Sequence, residues 1–167
     1  VMSLPRVLTL NDGELCQSPA PEMSLLHQAN HTGPISQLGG DCLEIKATFN
    51  GREDICGLKV RKSPDGSEQT LITYNRTEKL LSINRTHSSL DTTVIADIRT
   101  SSLILLPGEK LKFHIFLDRS VIEVFANDRL AMATRIYPTR TDSFGLDIAS
   151  GNLESLEVWE MGAINKG

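Results

Sequence analysis

The chain has 167 residues, of which 40% are apolar and 23% are charged, and its net charge at pH 7 is −4. This length corresponds to about one domain, and the composition excludes a disordered or fibrous protein. The longest apolar run, Leu103 to Leu106, is too short for a transmembrane helix, and the absence of a long basic block argues against a nucleic acid or an anionic membrane as a partner.

The first forty residues carry signals of several kinds. Val1 to Arg6 contains no apolar core of a signal peptide. The run Asn11-Asp12-Gly13 predicts a turn. Pro19 to His27 predicts a helix of at most two turns, because proline and an acidic residue are accepted in a first helical turn. Ala29 to Gly40 is polar and rich in glycine, which predicts a long loop.

The rest of the chain is dominated by a period of two, in which apolar and polar residues alternate. The alternation predicts strands, of which the clearest are Leu43 to Asn50, Leu58 to Arg61, Leu81 to Asn84 and Leu111 to Leu117. Turn signals separate these runs at short intervals. About a dozen short strands with this spacing predict an all-β fold, either a sandwich or a barrel. The charged outer faces and aliphatic inner faces of the strands favour a two-layer sandwich.

Three cysteines are present, Cys16, Cys42 and Cys56, and no pair has the spacing of a zinc or redox motif. Cys42 and Cys56 flank the turn signal Asn50-Gly51. If the flanking segments form a hairpin, the two thiols lie about 20 Å apart along the sheet, which is too far for a disulfide.

Several polar residues are candidates for a catalytic role. Asp118 and Glu123 flank a tight turn, and two carboxyl groups at that separation are the pair that a glycosidase needs. The simpler interpretation is a turn residue and the polar alternate of a strand. Ser120 shares the same hairpin with His114, yet nothing marks it as an activated nucleophile. The four histidines, His27, His31, His87 and His114, are interpreted as surface or loop residues rather than ligands.

Two further features concern carbohydrate. Trp159 and Phe144 are candidates for a sugar-stacking platform, although packing in the core or at an interface is the preferred use of Trp159. The candidate N-glycosylation acceptors are Asn30, Asn75 and Asn84, each followed by a threonine two residues later.

One longer motif is specific. The stretch Phe116 to Asn127, FLDRSVIEVFAN, with Thr134 to Pro138 after it, resembles the signature of the C-terminal β-sandwich of glycoside hydrolase family 32. This family contains invertases, inulinases, levanases and fructan exohydrolases. Further similar stretches span nearly the whole chain: Met2 to Arg6, Gln17 to Glu22, Ser63 to Glu68, Tyr74 to Arg76 and Leu156 to Met161. Departures are His27, where arginine is frequent, and Asn75 and Asn84, where acidic residues are common.

The resemblance implies a two-layer antiparallel β-sandwich of the concanavalin-like (lectin-like) jelly-roll type. It also implies that the catalytic residues lie elsewhere. In this family an N-terminal five-bladed β-propeller carries the nucleophile, the transition-state stabiliser and the acid/base in three motifs, none of which occurs in this chain. We therefore assign no catalytic residue and no cofactor or metal site, and we predict that the chain is inactive by itself. Residues 1–18 are expected to form a junction segment and first strand, and residues 19–167 the sandwich domain.

The expected function is that of an accessory, structural domain of an enzyme that hydrolyses sucrose or fructans. Its expected partner is the catalytic propeller, in the same chain or a separate one, and a homodimer is a further expectation. The alternatives are a lectin-like carbohydrate-binding module and one polypeptide of a split or processed invertase. If the parent is an invertase, we expect secretion to the extracellular space or cell wall, or delivery to the vacuole.

Overall fold

The structure, a computed structural model, describes residues 3–11 and 13–163. Its strands form two sheets and a separate hairpin, with antiparallel pairing between neighbours. In chain order the strands are β1 (Arg6–Asn11), β2 (Glu14–Pro19), β3 (His27–His31), β4 (Cys42–Phe49), β5 (Ile55–Lys62), β6 (Thr70–Asn75), β7 (Leu80–Asn84), β8 (Ile98–Ser102), β9 (Leu111–Asp118), β10 (Val121–Ala126), β11 (Leu130–Arg135), β12 (Gly145–Ser150) and β13 (Leu153–Met161). Two short 3₁₀ helices span Pro21–Leu26 and Ile35–Gln37.

The two larger sheets are the layers of a sandwich, as predicted. One sheet has six strands in the order β11-β10-β9-β4-β13-β3, and the other has five in the order β12-β5-β6-β7-β8. Their inner faces meet in one apolar core that includes Ile45, Phe49, Phe113 and Ile72. Phe49 and Phe113 meet edge to face with ring centroids 6.0 Å apart, an arrangement that aromatic quadrupoles favour.

The alternation predicted from the sequence is confirmed along most strands, but it breaks at the end of β5. Leu58 and Val60 are buried, as expected. Arg61, expected to alternate outward, is also buried and has a positive φ of 50°. Its guanidinium donates hydrogen bonds to the backbone oxygens of Ser143 and Arg119. The left-handed residue breaks the period of two and turns the side chain under the neighbouring loops.

The segments that flank Asn50-Gly51 do not form the hairpin considered for them. β4 and β5 lie in different sheets, so the chain crosses from one layer to the other in residues 50–54. Gly51 has a φ of +68°, and a Cβ there would lie 2.5 Å from Arg76 Nη2 and 2.9 Å from the Glu109 oxygen. A turn signal predicts that the chain reverses, and both a hairpin and a crossing between two apolar-faced strands satisfy it. Cys16, Cys42 and Cys56 are all free thiols.

The segment between residues 19 and 40 is more ordered than predicted. The short helix is present as the 3₁₀ helix Pro21–Leu26. The long loop expected over residues 29–40 is wrong in part, because β3 continues to His31 and a second 3₁₀ helix follows at Ile35–Gln37. β3 is polar because it is an edge strand that pairs only with β13, and the sequence pattern of such a strand resembles that of a loop.

The N-terminal hairpin of β1 and β2 stands apart from both sheets. It contacts β10 and β11 only lightly, and Gln17 N donates to the Asp128 oxygen at 2.7 Å. Gly13 of the predicted turn has a φ of +83°, whereas Asp12 of the same turn lies outside the described residues. Residues 1, 2 and 164–167, which belong to the expected junction segment (1–18) and sandwich domain (19–167), also lie outside them. In the described part of the chain, no helix is long and apolar enough to cross a membrane.

Candidate functional site

The most connected polar group on the outer face of the six-stranded sheet is Glu44 of β4. Its side chain is 3% exposed and accepts hydrogen bonds from His27 Nε2 and His114 Nε2, both at 2.8 Å. Lys46 Nζ lies 3.3 Å from the same carboxylate. His27 and His114, expected to be surface or loop residues, are therefore partly buried partners of one carboxylate.

This arrangement keeps Glu44 ionised. Burial by itself disfavours the charged carboxylate. The hydrogen bonds from His114 and His27, with the nearby Lys46, outweigh burial and lower the pKa of Glu44 from 4.5 to about 2. His27 is the first residue of β3, and His114 lies in β9. The carboxylate of Glu44 therefore connects the edge strand to the centre of the sheet.

Trp159 of β13 belongs to the same cluster. The His27 imidazole stacks on the indole with centroids 4.7 Å apart and planes 5° apart. Lys46 Nζ lies 4.9 Å from the indole centroid. Since protein groups already cover the ring, Trp159 offers little free face for a sugar. Phe144, the other member of the candidate platform, lies beside Arg61 just before β12, a strand of the other sheet.

The carboxylate pair suggested by the sequence consists of two very different groups. Asp118 is exposed at the end of β9, whereas Glu123 of β10 is 1% exposed. Glu123 accepts a hydrogen bond from Leu4 N at 2.5 Å and forms an ion pair with Arg6 at 3.0 Å. Glu123 is the polar alternate of its strand, as interpreted from the sequence, but it is buried because the N-terminal segment covers the outer face there. Its role in the structure is to hold this segment.

No nucleophile or metal cluster is assembled in the residues that the structure describes. Ser120 Oγ accepts a bond from Arg135 Nη2 at 3.3 Å, and His114 Nε2 is engaged by Glu44 rather than by Ser120. In residues 3–11 and 13–163, no three His, Cys, Asp or Glu side chains are placed to hold a metal ion.

A third buried carboxylate, that of Glu68, connects two distant family-like stretches. Glu68 accepts bonds from Thr139 N and Oγ1, Arg140 N, Ser143 Oγ and Leu90 N, at 2.6–3.1 Å. Burial opposes its ionisation, but these donors lower its pKa to about 2. Glu68 therefore joins the Ser63–Glu68 turn to the loop after Thr134–Pro138, which is a structural role.

The three candidate glycosylation acceptors differ in accessibility. Asn30 is exposed on edge strand β3. Asn75 and Asn84 are half-buried, and their Oδ1 atoms accept bonds from Glu78 N and from Thr86 N and Oγ1 respectively. Asn30 is thus the most accessible of the three amides.

The sequence pattern did not identify Glu44 and Glu68 as buried carboxylates that connect separate segments. Both stand at strand or turn positions where an exposed acid is ordinary. The one available signal was His27, which stands where the family pattern has arginine, because a basic residue there suggests an acidic partner.

The comparisons with known proteins agree with the fold. The family model described as "Glycosyl hydrolases family 32 C terminal" matches residues 15–160. A sucrose-6-phosphate hydrolase of Zymomonas mobilis is 28% identical, with 93% of this chain and 31% of that protein aligned. A levanase of Bacillus subtilis is 34% identical, with 90% of this chain and 25% of that protein aligned.

Solved structures give the same relation. An exo-inulinase of Aspergillus awamori superimposes with a TM-score of 0.78 at 21% identity, covering 96% of this chain and 36% of that one. A sucrose-6-phosphate hydrolase of Lactobacillus gasseri gives 0.78 at 23% identity, covering 96% and 33%. The chain therefore spans about a third of the length of the relatives it matches.

Proposed function

Because the chain belongs to the C-terminal domain family of the family 32 glycosyl hydrolases, we propose that it packs as an accessory domain against the catalytic propeller of a sucrose- or fructan-hydrolysing enzyme. The observation that carries the proposal is coverage: the match includes 93% of this chain but only 31% of the sucrose-6-phosphate hydrolase. The remaining two thirds of such an enzyme is where the propeller motifs absent from this chain are expected.

The contact surface we assign is the hairpin of β1 and β2. Leu8, Leu10 and Leu15 share one face of this hairpin, since Leu10 pairs with Leu15 and Leu8 lies two residues away on the same strand. They are 57–73% exposed. Adjacent exposed leucines on a small ribbon are typical of a surface that another domain covers. Arg6 and Leu4, bound to Glu123, fix the hairpin to the sandwich.

The test is to produce the chain and the propeller of the same enzyme separately, and to measure their association and the activity recovered on mixing. Leu10→Lys should weaken binding about 10- to 100-fold, the equivalent of burying one leucine. Leu90→Lys is the matched control, since Leu90 is also exposed, at 52%, but lies on another part of the sandwich. Equal losses in the two variants would contradict the assignment of the hairpin.

The same preparation tests whether the chain is catalytic. We expect no release of fructose from sucrose, inulin or levan by the chain alone, and activity only when the propeller is present. Fructose release by the pure chain would overturn the accessory role. Recovery of activity from two separate polypeptides would support a split enzyme, in which the propeller acts from a second chain.

The accessory role is preferred over a carbohydrate-binding module. A groove of about 310 Å³ lies on the outer face of the six-stranded sheet, lined by Lys46, Lys112 and Asn127 among others, but the two phenylalanines that line it, Phe113 and Phe125, are buried. Sugar sites of this kind rely on an exposed aromatic face. Calorimetric titration with fructo-oligosaccharides should give no heat of binding; saturable binding would favour the module.

We also propose passage through the secretory pathway, with an N-glycan on Asn30. Support comes from the exposed amide of Asn30 and from the expectation that the parent is a secreted or vacuolar invertase. A glycosidase-sensitive mass shift that Asn30→Gln abolishes in a eukaryotic host would support the site. An unchanged mass would count against it.

A further inference from the structure

The exposed edge of the five-stranded sheet is unusually well suited to pairing. β8 is the last strand of that sheet, and in the part of the chain that the structure describes no strand pairs with its other side. The side chains of Ile95, Ile98, Ile104 and Leu106, in and beside this strand, are 53–73% exposed. Proteins normally protect such an edge with a lysine, a proline, a bulge or a covering segment.

The sheet edges formed by β12 and β3 have some of that protection. β12 pairs with β5 through bulges and is bridged by Gly39. β3 is short and polar, with a bulge in its partner strand β13. The charged residue of β8, Arg99, is instead paired with Asp97 at 3.1 Å. The edge of β8 thus lacks an unpaired charge that would repel a neighbour.

The free backbone groups of β8 can be identified. The Asp97 oxygen accepts from Arg85 N, and Leu103 N donates to the Lys79 oxygen, so both residues bond towards β7. Bonding alternates along an antiparallel strand. The N–H and C=O groups of Ile98, Thr100 and Ser102 therefore point away from the sheet and remain available to a further strand.

We propose that this edge pairs with the β8 edge of a second copy of the chain, antiparallel about a two-fold axis at Thr100. Thr100 would then lie opposite its own equivalent, and Ile98 opposite Ser102 of the other copy, which uses all the free backbone groups. The strand's only charge, Arg99, meets Ser101 and not a like charge. The six main-chain bonds of this ladder would join two five-stranded sheets into one of ten strands.

The sequence on both sides of Thr100 favours a second copy over an unrelated peptide. A two-fold axis at this residue brings 94–98 of one copy beside 102–106 of the other. Both stretches carry exposed apolar side chains, which are Ile95 and Ile98 in the first and Ile104 and Leu106 in the second. The exposed apolar side chains of one copy would therefore lie beside those of the other, as an isologous interface requires.

The edge of β8 is a different surface from the β1–β2 hairpin. The proposal therefore gives the expected homodimer an interface that does not depend on the propeller. Failure of β8 pairing would leave hairpin docking intact, and loss of docking in Leu10→Lys would leave the dimer intact. The two proposals are therefore tested separately.

The first experiment is sedimentation velocity of the chain produced in a host that does not glycosylate. We expect a reversible monomer–dimer equilibrium with a Kd between about 1 µM and 1 mM, typical of a small, transient interface. Thr100→Pro should raise the Kd at least about 10-fold, because proline removes a donor that points to the partner and not to β7. Thr100→Val keeps the N–H and should preserve the dimer. A monomer at about 1 mM, an open-ended series of oligomers or a dimer unaffected by Thr100→Pro would overturn the proposal.

The second experiment does not require an intact proline variant. In a background of Cys16→Ser and Cys42→Ser, Thr100→Cys should form an intermolecular disulfide under mild oxidation, since directly opposite residues lie within disulfide range. Thr93→Cys is a matched control on an exposed residue far from its own equivalent. Equal cross-linking of the two variants would overturn the proposed register. Unchanged circular dichroism and thermal midpoint would show that each variant folds.

Discussion

The sharpest test of the structure concerns Glu44, which we would replace by glutamine. The substitution keeps the shape of the side chain and removes the charge that His27 and His114 bind at 2.8 Å. The pKa of Glu44 falls from 4.5 to about 2 on folding, which corresponds to about 3 kcal/mol of stabilisation at neutral pH. Glutamine retains one acceptor, so we expect Glu44→Gln to lose about 2–3 kcal/mol, or about 4–12 °C in Tm.

The pH dependence of that loss follows from the sign of the shift. Because the pKa in the folded protein lies below the unfolded value of 4.5, the stabilisation is complete above that value and is lost as pH falls towards about 2. At pH 3 less than half of the stabilisation present at pH 7 remains. The difference in unfolding free energy between wild type and Glu44→Gln should therefore be clearly smaller at pH 3 than at pH 7.

The assay is urea unfolding at both pH values, with Glu157→Gln as the control. Glu157 is an exposed acid on the same sheet face, opposite Lys46 in the register of β13 and β4. Its replacement should change stability by less than about 0.5 kcal/mol, as for an ordinary surface site. If Glu44→Gln changes the unfolding free energy as little as this control, or by the same amount at both pH values, the ionised carboxylate of Glu44 does not stabilise the fold as described.

Three further substitutions test other parts of the structure by chemical or thermal unfolding. Glu68→Gln should cost about 2–4 kcal/mol, because five donors converge on the buried carboxylate; a loss below about 1 kcal/mol would contradict its role. Gly51→Ala should destabilise clearly more than Gly66→Ala, since both have positive φ but only the Cβ at Gly51 would meet backbone and side-chain atoms; equal losses would exclude steric contact as the cause. Arg6→Ala should cost about 2–4 kcal/mol by leaving the charge of Glu123 buried with fewer partners, and its N-terminal segment should be cleaved faster by protease; unchanged cleavage would contradict the anchoring.

Much of the candidate site was beyond the reach of sequence reasoning. Alternation places Glu44 and Glu123 on the outer face of their strands, and this is where they lie. It does not reveal that β3 and the N-terminal segment return to cover that face. Both acids are therefore buried and paired, although the pattern predicts exposed ones.

The fold class, the approximate number of strands and the family could be predicted from the sequence, because alternation and turn residues are local properties and the stretch Phe116 to Asn127 is specific. Which strands are neighbours became evident only in the folded chain. The turn at Asn50-Gly51 crosses between the layers instead of closing a hairpin. Folding also brings Glu68 into contact with Thr139, and His27 into contact with Glu44. These contacts join residues far apart in the chain, and their energies depend on burial, which no local pattern encodes.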